Sequence, residues 1–405
     1  MRSLSSRRSA PAMVACLAIL FLGLATSSLH ALTSTADLDF PSVNGPIYGV
    51  AQGGDTILIG GAFSVVDGVG RARIAALDAY SGQLWDWNPN ITDGFVYRIH
   101  IVGDKVYVGG SFSDVNGVAR NRMAAFNLPT HAADPAVLDP AWDPDVNGTI
   151  DEVASSGGKI YICGNFTTVS GVTRNYAAAL SPANGVDAVT VDPWHPDFGG
   201  RCRALLPHGN RVYCGGPFTT VKGGTARNRL AAFEPADGVN TAVLDEAWSP
   251  NVGATAVYCL ASDGVHLYLG GDFISTGGNS NHGILSAVEL ANGLNTGAVI
   301  ADWDPPLIFP LVRRILIVDE FVIALGSFVL SDHNQYLVAF QRAALGYTLD
   351  PWAPTPNGVV YDGTLSGAGF LVAGGFTTME GVHAPGKIAG FNSTVPVRFR
   401  AYTAE

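Results

Sequence analysis

A short β-rich run followed by Gly-Gly-x-Phe, in full or eroded form, recurs seven times along this chain and restricts it to a repeat architecture. The clearest copy is Val106-Tyr107-Val108-Gly109-Gly110-Ser111-Phe112, and the phenylalanines closing the seven copies are Phe63, Phe112, Phe166, Phe218, Phe273, Phe328 and Phe376. From the first to the last there are six steps of about 52 residues. A second landmark, Trp-x-Pro, falls once between each pair of copies, at Trp87, Trp142, Trp194, Trp248, Trp303 and Trp352. A third is Arg-x-Arg-x-Ala-Ala, as in Arg120-Asn121-Arg122-Met123-Ala124-Ala125-Phe126.

Within the second copy the pattern predicts four short strands. The first lies near Val96 to Ile101, and a Gly103-Asp104 hairpin turn leads into Lys105 to Val108. The third covers Arg122 to Asn127, and the fourth approaches Trp142 through Val137-Leu138-Asp139. Glycines after the second strand allow close backbone approach, and the Phe and Trp landmarks are large apolar plugs for the contact between neighbouring sheets. Four-stranded units repeated seven times read as an all-β fold, a single seven-bladed β-propeller. The segment Ala36 to Gly45 resembles Val137 to Gly148 with its Trp replaced, so it carries an outer strand with no partners before it. The expectation is that this N-terminal strand completes the last blade and closes the ring over residues 36–391, which removes exposed sheet edges.

The ends carry different signals. Arg2, Arg7 and Arg8 precede an apolar run from Met13 to Leu24, and Ala31 offers a cleavage point, the layout of a signal peptide over residues 1–31. That run is shorter than the roughly 20 residues a spanning helix needs, and no second run follows, so a soluble chain in the periplasm, at the cell surface or secreted is expected. Residues 392–405 hold a surplus alternating strand, Val395 to Tyr402, which either caps the last blade's edge or serves as a docking tail.

Val-Tyr-Val-Gly-Gly-x-Phe, Val-Asn-Gly, Arg-Asn-Arg-x-Ala-Ala-Phe and Trp-x-Pro in this order resemble the delta-sixty repeat family of bacterial secreted β-propellers, with kelch repeats a more distant second. The resemblance covers about residues 36 to 391. It implies the propeller fold and export, and it brings no catalytic residues.

Charge excludes one class of partner. The whole chain carries −11, and without the three N-terminal arginines about −14, so nucleic acid is not expected to bind. Of the cysteines beyond Cys16, Cys202 and Cys214 flank a turn at Gly209-Asn210. Strand alternation then pairs Cys214 with Leu205, sets Cys202 on the opposite face and predicts no disulfide between them. No nucleophile elbow, zinc-protease helix, phosphate loop or dinucleotide fingerprint is present. His282, His333 and His383 fall in corresponding loops of three consecutive units, where imidazoles could converge on a metal only if those loops lean inward.

The leading expectation is a monomeric, non-enzymatic binding module without a cofactor, whose partner is a protein or a glycan. The second is a polysaccharide hydrolase or lyase, or a metal-dependent oxidoreductase, drawing on His282, Asp332, His333 and His383.

Overall fold

The computed structural model describes residues 36–280, 283–330, 333–343, 346–352, 354–367 and 369–392. The proposed leader 1–31, His282, Asp332 and the tail beyond residue 392 lie outside them. All described regular structure is β. The seven main sheets are antiparallel. In chain order the sheets open with Ile47–Gly53, Val96–Val102, Thr149–Ser156, Ala204–His208, Val257–Ser262, Leu307–Val318 and Val360–Ser366. Each opening strand pairs with the strand that follows it, which carries the Gly-Gly end of the repeat, and the third strand carries the Ala-Ala-Phe segment. In the second sheet Val102 faces Lys105 across the two-residue Gly103-Asp104 turn, with Gly103 at φ 59°, the conformation glycine supplies without steric cost.

Opening strands of successive sheets lie beside one another, and Ile47–Gly53 lies beside Val360–Ser366. Asp37 and Gly390 exchange both backbone hydrogen bonds, at 2.9 and 3.0 Å. The N-terminal segment therefore adds to the third strand of the seventh sheet.

The expected fourth strand differs. In the second sheet it is one bridge, Phe126 to Leu138, because Pro135 and Pro140 lack the N–H a ladder needs. Asp139 then turns its carboxylate back onto the N–H groups of Ala141 and Trp142. Only the sixth sheet has four full strands among the described residues, ending in Tyr347–Leu349. Its shortened loop lets the second and third strands run ten residues each, absorbing the small hairpin seen at this point in other units. One such hairpin pairs Asp114–Val115 with Val118–Ala119 around Asn116 and Gly117, at φ 49° and 81°.

The core sits between sheets. One cluster joins Tyr107, Ala125 and Trp142 of the second unit to Ile150, Ile162, Phe166 and Val169 of the third. Trp142 meets Tyr107 edge to face at 5.2 Å and donates its indole N–H to Ser181 O at 2.9 Å. Trp194 and Trp248 repeat that donation to Glu234 O and Glu289 O. The seven repeat phenylalanines and six Trp-x-Pro tryptophans are all buried. The repeated arginines hold loops: Arg122 Nη1 donates to Phe112 O at 2.8 Å, and Arg120 Nη2 to Pro140 O at 3.0 Å.

The cysteine expectation needs a correction. Leu205 does face Cys214, and Cys163, Cys202, Cys214 and Cys259 are all free and buried. Cys202, however, packs in the same cluster as Cys163 and Cys214. Arg203 N donates to Gly215 O at 2.7 Å while Ala204 also faces Gly215. Two residues thus oppose one, and the alternation shifts by one between Cys202 and Leu205.

Candidate functional site

The same irregularity recurs near the start of the opening strands and builds the most distinctive recess in the molecule. Register shifts between Ile47 and Gly49, Val96 and Arg98, Ile150 and Glu152, Val257 and Cys259, Val312 and Arg314, and Val360 and Asp362. A bulge re-aims the residue it inserts. The inserted residues, Tyr48, Tyr97, Asp151, Tyr258, Arg313 and Tyr361, together with Arg203 of the fourth sheet and Arg98, line one cavity of about 210 Å³. Every main sheet contributes one inserted side chain to it.

The rim is aromatic and cationic. Tyr48 packs edge to face on Tyr361 at 5.2 Å and tilts against Tyr97 at 5.8 Å, with Phe95 beside both. The Arg203 guanidinium lies 4.6 Å from the centre of the Tyr258 ring and that of Arg313 5.2 Å from Tyr361, distances at which a cation is attracted to the ring face. Asp151 is held in a two-pronged ion pair by Arg201.

The residues that directly follow four of the inserted ones, Arg98, Glu152, Arg314 and Asp362, form a charged layer beside the recess. Glu152 Oε2 accepts from Arg98 Nε at 3.2 Å and Arg314 Nη1 at 2.8 Å, while Arg314 Nε pairs with Asp362 Oδ1 at 3.1 Å. Asp362 Oδ2 accepts the backbone N–H of Val50 at 3.1 Å. Burial pushes the Glu152 carboxyl up, but the Arg314 and Arg98 charges outweigh it and hold the group below its ordinary range. Farther along the second opening strand, His100 Nε2 lies 2.9 Å from Ser155 Oγ, and burial lowers its pKa, which favours neutral imidazole.

This layer balances internally, two guanidiniums against two carboxylates, and Arg201 balances Asp151. Arg203 and Arg313 are left over: among the described residues neither has a carboxylate within ion-pair distance, and the Nε of each is buried without a hydrogen-bond partner. Asp272 acts on Arg203 only from beyond that range, with its own carboxyl raised by burial. Burial lowers the Arg313 pKa, and the nearby Arg203 and Arg98 charges lower it further.

The histidines singled out by sequence are not part of this recess. His383 is exposed in a small hairpin, lining a separate surface hollow with Asp39, Asp67 and Arg71. His333 opens the third strand of the sixth sheet, with its side chain outside the described residues. Among the described residues no group of three or more His, Cys, Asp or Glu is placed to hold a metal ion. Sequence reasoning did not reach the seven recess residues. Their signal was present as one position per unit, directly after a buried apolar residue (Ile47, Val96, Ile150, Cys202, Val257, Val312 or Val360), where Tyr, Tyr, Asp, Arg, Tyr, Arg and Tyr stand in turn.

Known proteins bear on the fold. A family model described as a domain of unknown function (DUF5122) beta-propeller matches residues 104–128 and 157–185. The WD40 beta propeller domain of Doa1 superposes with a TM-score of 0.53 at 10% identity, covering 91% of this chain and all of that one. The fold is a β-propeller. The computationally designed Ika8 protein is similar at a TM-score of 0.51 and 12% identity, covering 88% of this chain and all of its own. A search of curated proteins found no match. Identities this low speak for the propeller fold and not for a shared ligand. No helix among the described residues is long and apolar enough to cross a membrane.

Proposed function

We propose that this propeller is a closed, seven-bladed ring of the delta-sixty repeat type, exported through its first 31 residues, acting outside the cytoplasm as a monomeric, non-enzymatic binding module. Its ligand, presented by a glycan or a protein, enters the recess at the ring axis. The observation that carries this reading is the cavity to which every main sheet sends one bulge-inserted side chain, with two guanidiniums that have no carboxylate partner among the described residues. Closure is supported by the paired bonds between Asp37 and Gly390 and by the first opening strand lying beside the seventh. A binding role is favoured because propellers commonly gather ligands on their axis, and pockets with a few convergent polar groups among aromatic rings are the ordinary form of a ligand site.

The test is a melting-temperature screen of the mature chain against plant and bacterial polysaccharides and candidate protein partners, since a ligand of the folded state raises the midpoint. A ligand found this way should give no shift with a Tyr48→Ala/Tyr361→Ala double variant that itself still melts cooperatively. A shift retained in that variant places the ligand elsewhere on the ring and overturns the assignment of the site.

A further inference from the structure

The recess is small, rimmed by ring faces and hydroxyls, and electrostatically incomplete. We propose that it takes a carboxylated sugar, the uronic-acid unit of an acidic polysaccharide, with the sugar ring against the tyrosines and its carboxylate between Arg203 and Arg313. The inference rests on the reading of the recess as the ligand site and adds the chemistry of its occupant.

Three observations converge on it. First, size: about 210 Å³ lies below the roughly 300–1,000 Å³ of pockets that enclose a drug-sized molecule, so the cavity admits one ring-sized unit with the rest of a chain left outside. Second, shape and polarity: Tyr48, Tyr97 and Tyr361 form a continuous aromatic wall with Tyr258 also on the rim, and a pyranose offers apolar C–H faces to such rings and hydroxyls to the phenol oxygens. Asp151, already oriented by Arg201, adds an acceptor for a sugar hydroxyl. Third, charge: in a chain with a net charge of −11, two guanidiniums stand at this rim without an ion pair among the described residues. A guanidinium is built to take a carboxylate through two parallel N–H donors, and stacking on Tyr258 and Tyr361 pre-orients both groups at little further entropic cost. Burial and the neighbouring Arg203 charge disfavour the Arg313 cation, a cost that an arriving anion offsets.

The experiment is calorimetric titration of the mature protein with digalacturonate and diglucuronate, with their methyl esters, and with inorganic phosphate and sulfate as separate probes. The expected result is that at least one free acid binds and its ester, identical in ring and hydroxyls but uncharged, binds at least tenfold more weakly. Arg203→Gln and Arg313→Gln, each with an unchanged melting temperature, should weaken the acid at least tenfold and leave the ester as it was. Affinity for the acid should fall with added salt. Equal affinity for acid and ester overturns the anionic occupant, and so does phosphate or sulfate binding as tightly as the uronate, which would make the recess a plain anion site. If neither acid binds but a ligand from the melting screen is lost in the Tyr48→Ala/Tyr361→Ala variant, the uronate is wrong and the site is right. If an acid binds and the arginine and tyrosine variants both bind it unchanged, the site itself is wrong.

Discussion

Arg314, on the opening strand of the sixth sheet, donates through Nη1 to Glu152 Oε2 on the opening strand of the third at 2.8 Å, joining residues 162 positions apart. Arg98 shares the same carboxylate oxygen from the second sheet, so one buried acid ties three blades.

Removing that acid leaves the half-buried Arg98 guanidinium without its ion-pair partner and Arg314 with Asp362 alone. Glu152→Ala is expected to lower unfolding stability by about 3 kcal/mol, the scale for breaking a buried ion pair from one side, as measured by urea denaturation at pH 7. Because Glu152 titrates below its ordinary value of 4.5 in the fold, its contribution is complete above that pH and is lost as pH falls through the lower folded value. Wild type and Glu152→Gln should therefore converge in stability on strong acidification.

Asp263 provides a second acid-sensitive contact. Burial raises its carboxyl, but the N–H groups of His266 and Val265, the Arg342 guanidinium and the Tyr268 hydroxyl together hold it down to about 2 from an ordinary 3.8. Asp263→Asn should cost about 1–2 kcal/mol at neutral pH after allowance for solvent screening. The difference from wild type should be full above pH 3.8 and vanish as pH falls through about 2, as read by denaturant midpoints across that window.

Three tyrosines act as clasps between neighbouring blades. The hydroxyls of Tyr107, Tyr161 and Tyr213 accept the buried backbone N–H of Ala183, Ala236 and Ala291 at 2.9, 2.8 and 2.9 Å. Each Tyr→Phe change leaves that N–H unsatisfied and should cost about 1–2 kcal/mol. Amide exchange at Ala183, Ala236 or Ala291 should accelerate in the matching variant only.

Glycine positions in one unit separate steric need from turn preference. A Cβ on Gly110 would sit 2.0 Å from Phe95 O, a backbone atom that cannot move aside, whereas one on Gly117 meets nothing within 4 Å and faces only its φ of 81°. Gly117→Ala should cost about 1–2 kcal/mol, the penalty of a left-handed residue, and remain cooperative in melting. Gly110→Ala should cost more and broaden the transition.

The four buried thiols are all pushed upward by burial, Cys259 to about 12, so little reactive thiolate forms at neutral pH. A thiol-reactive dye should label none of them in the folded chain at pH 7.5 and all four after addition of guanidinium chloride. Prompt labelling of the native protein would show that a blade edge opens readily.

Much of the architecture is written locally. A glycine doublet before Phe112, a turn residue pair at Gly103-Asp104 and a tryptophan at Trp142 each state their role within a few residues, through φ preference, period-two alternation and the need to bury large rings. The repetition of these signals indicates the number of units and an all-β fold. The recess was not legible in the same way. Bulges break the alternation at Tyr48, Tyr97, Asp151, Tyr258, Arg313 and Tyr361, turning inward residues that strict alternation would send elsewhere, and the same shift reversed the expected side of Cys202. Which charges in and beside them cancel depends on partners 50 to 162 positions away, as Asp151 finds Arg201 and Glu152 finds Arg98 and Arg314. Local preference sets strands and turns because its causes lie within a few bonds. The charge left unpaired on Arg203 and Arg313 exists only once the blades bring distant opening strands together.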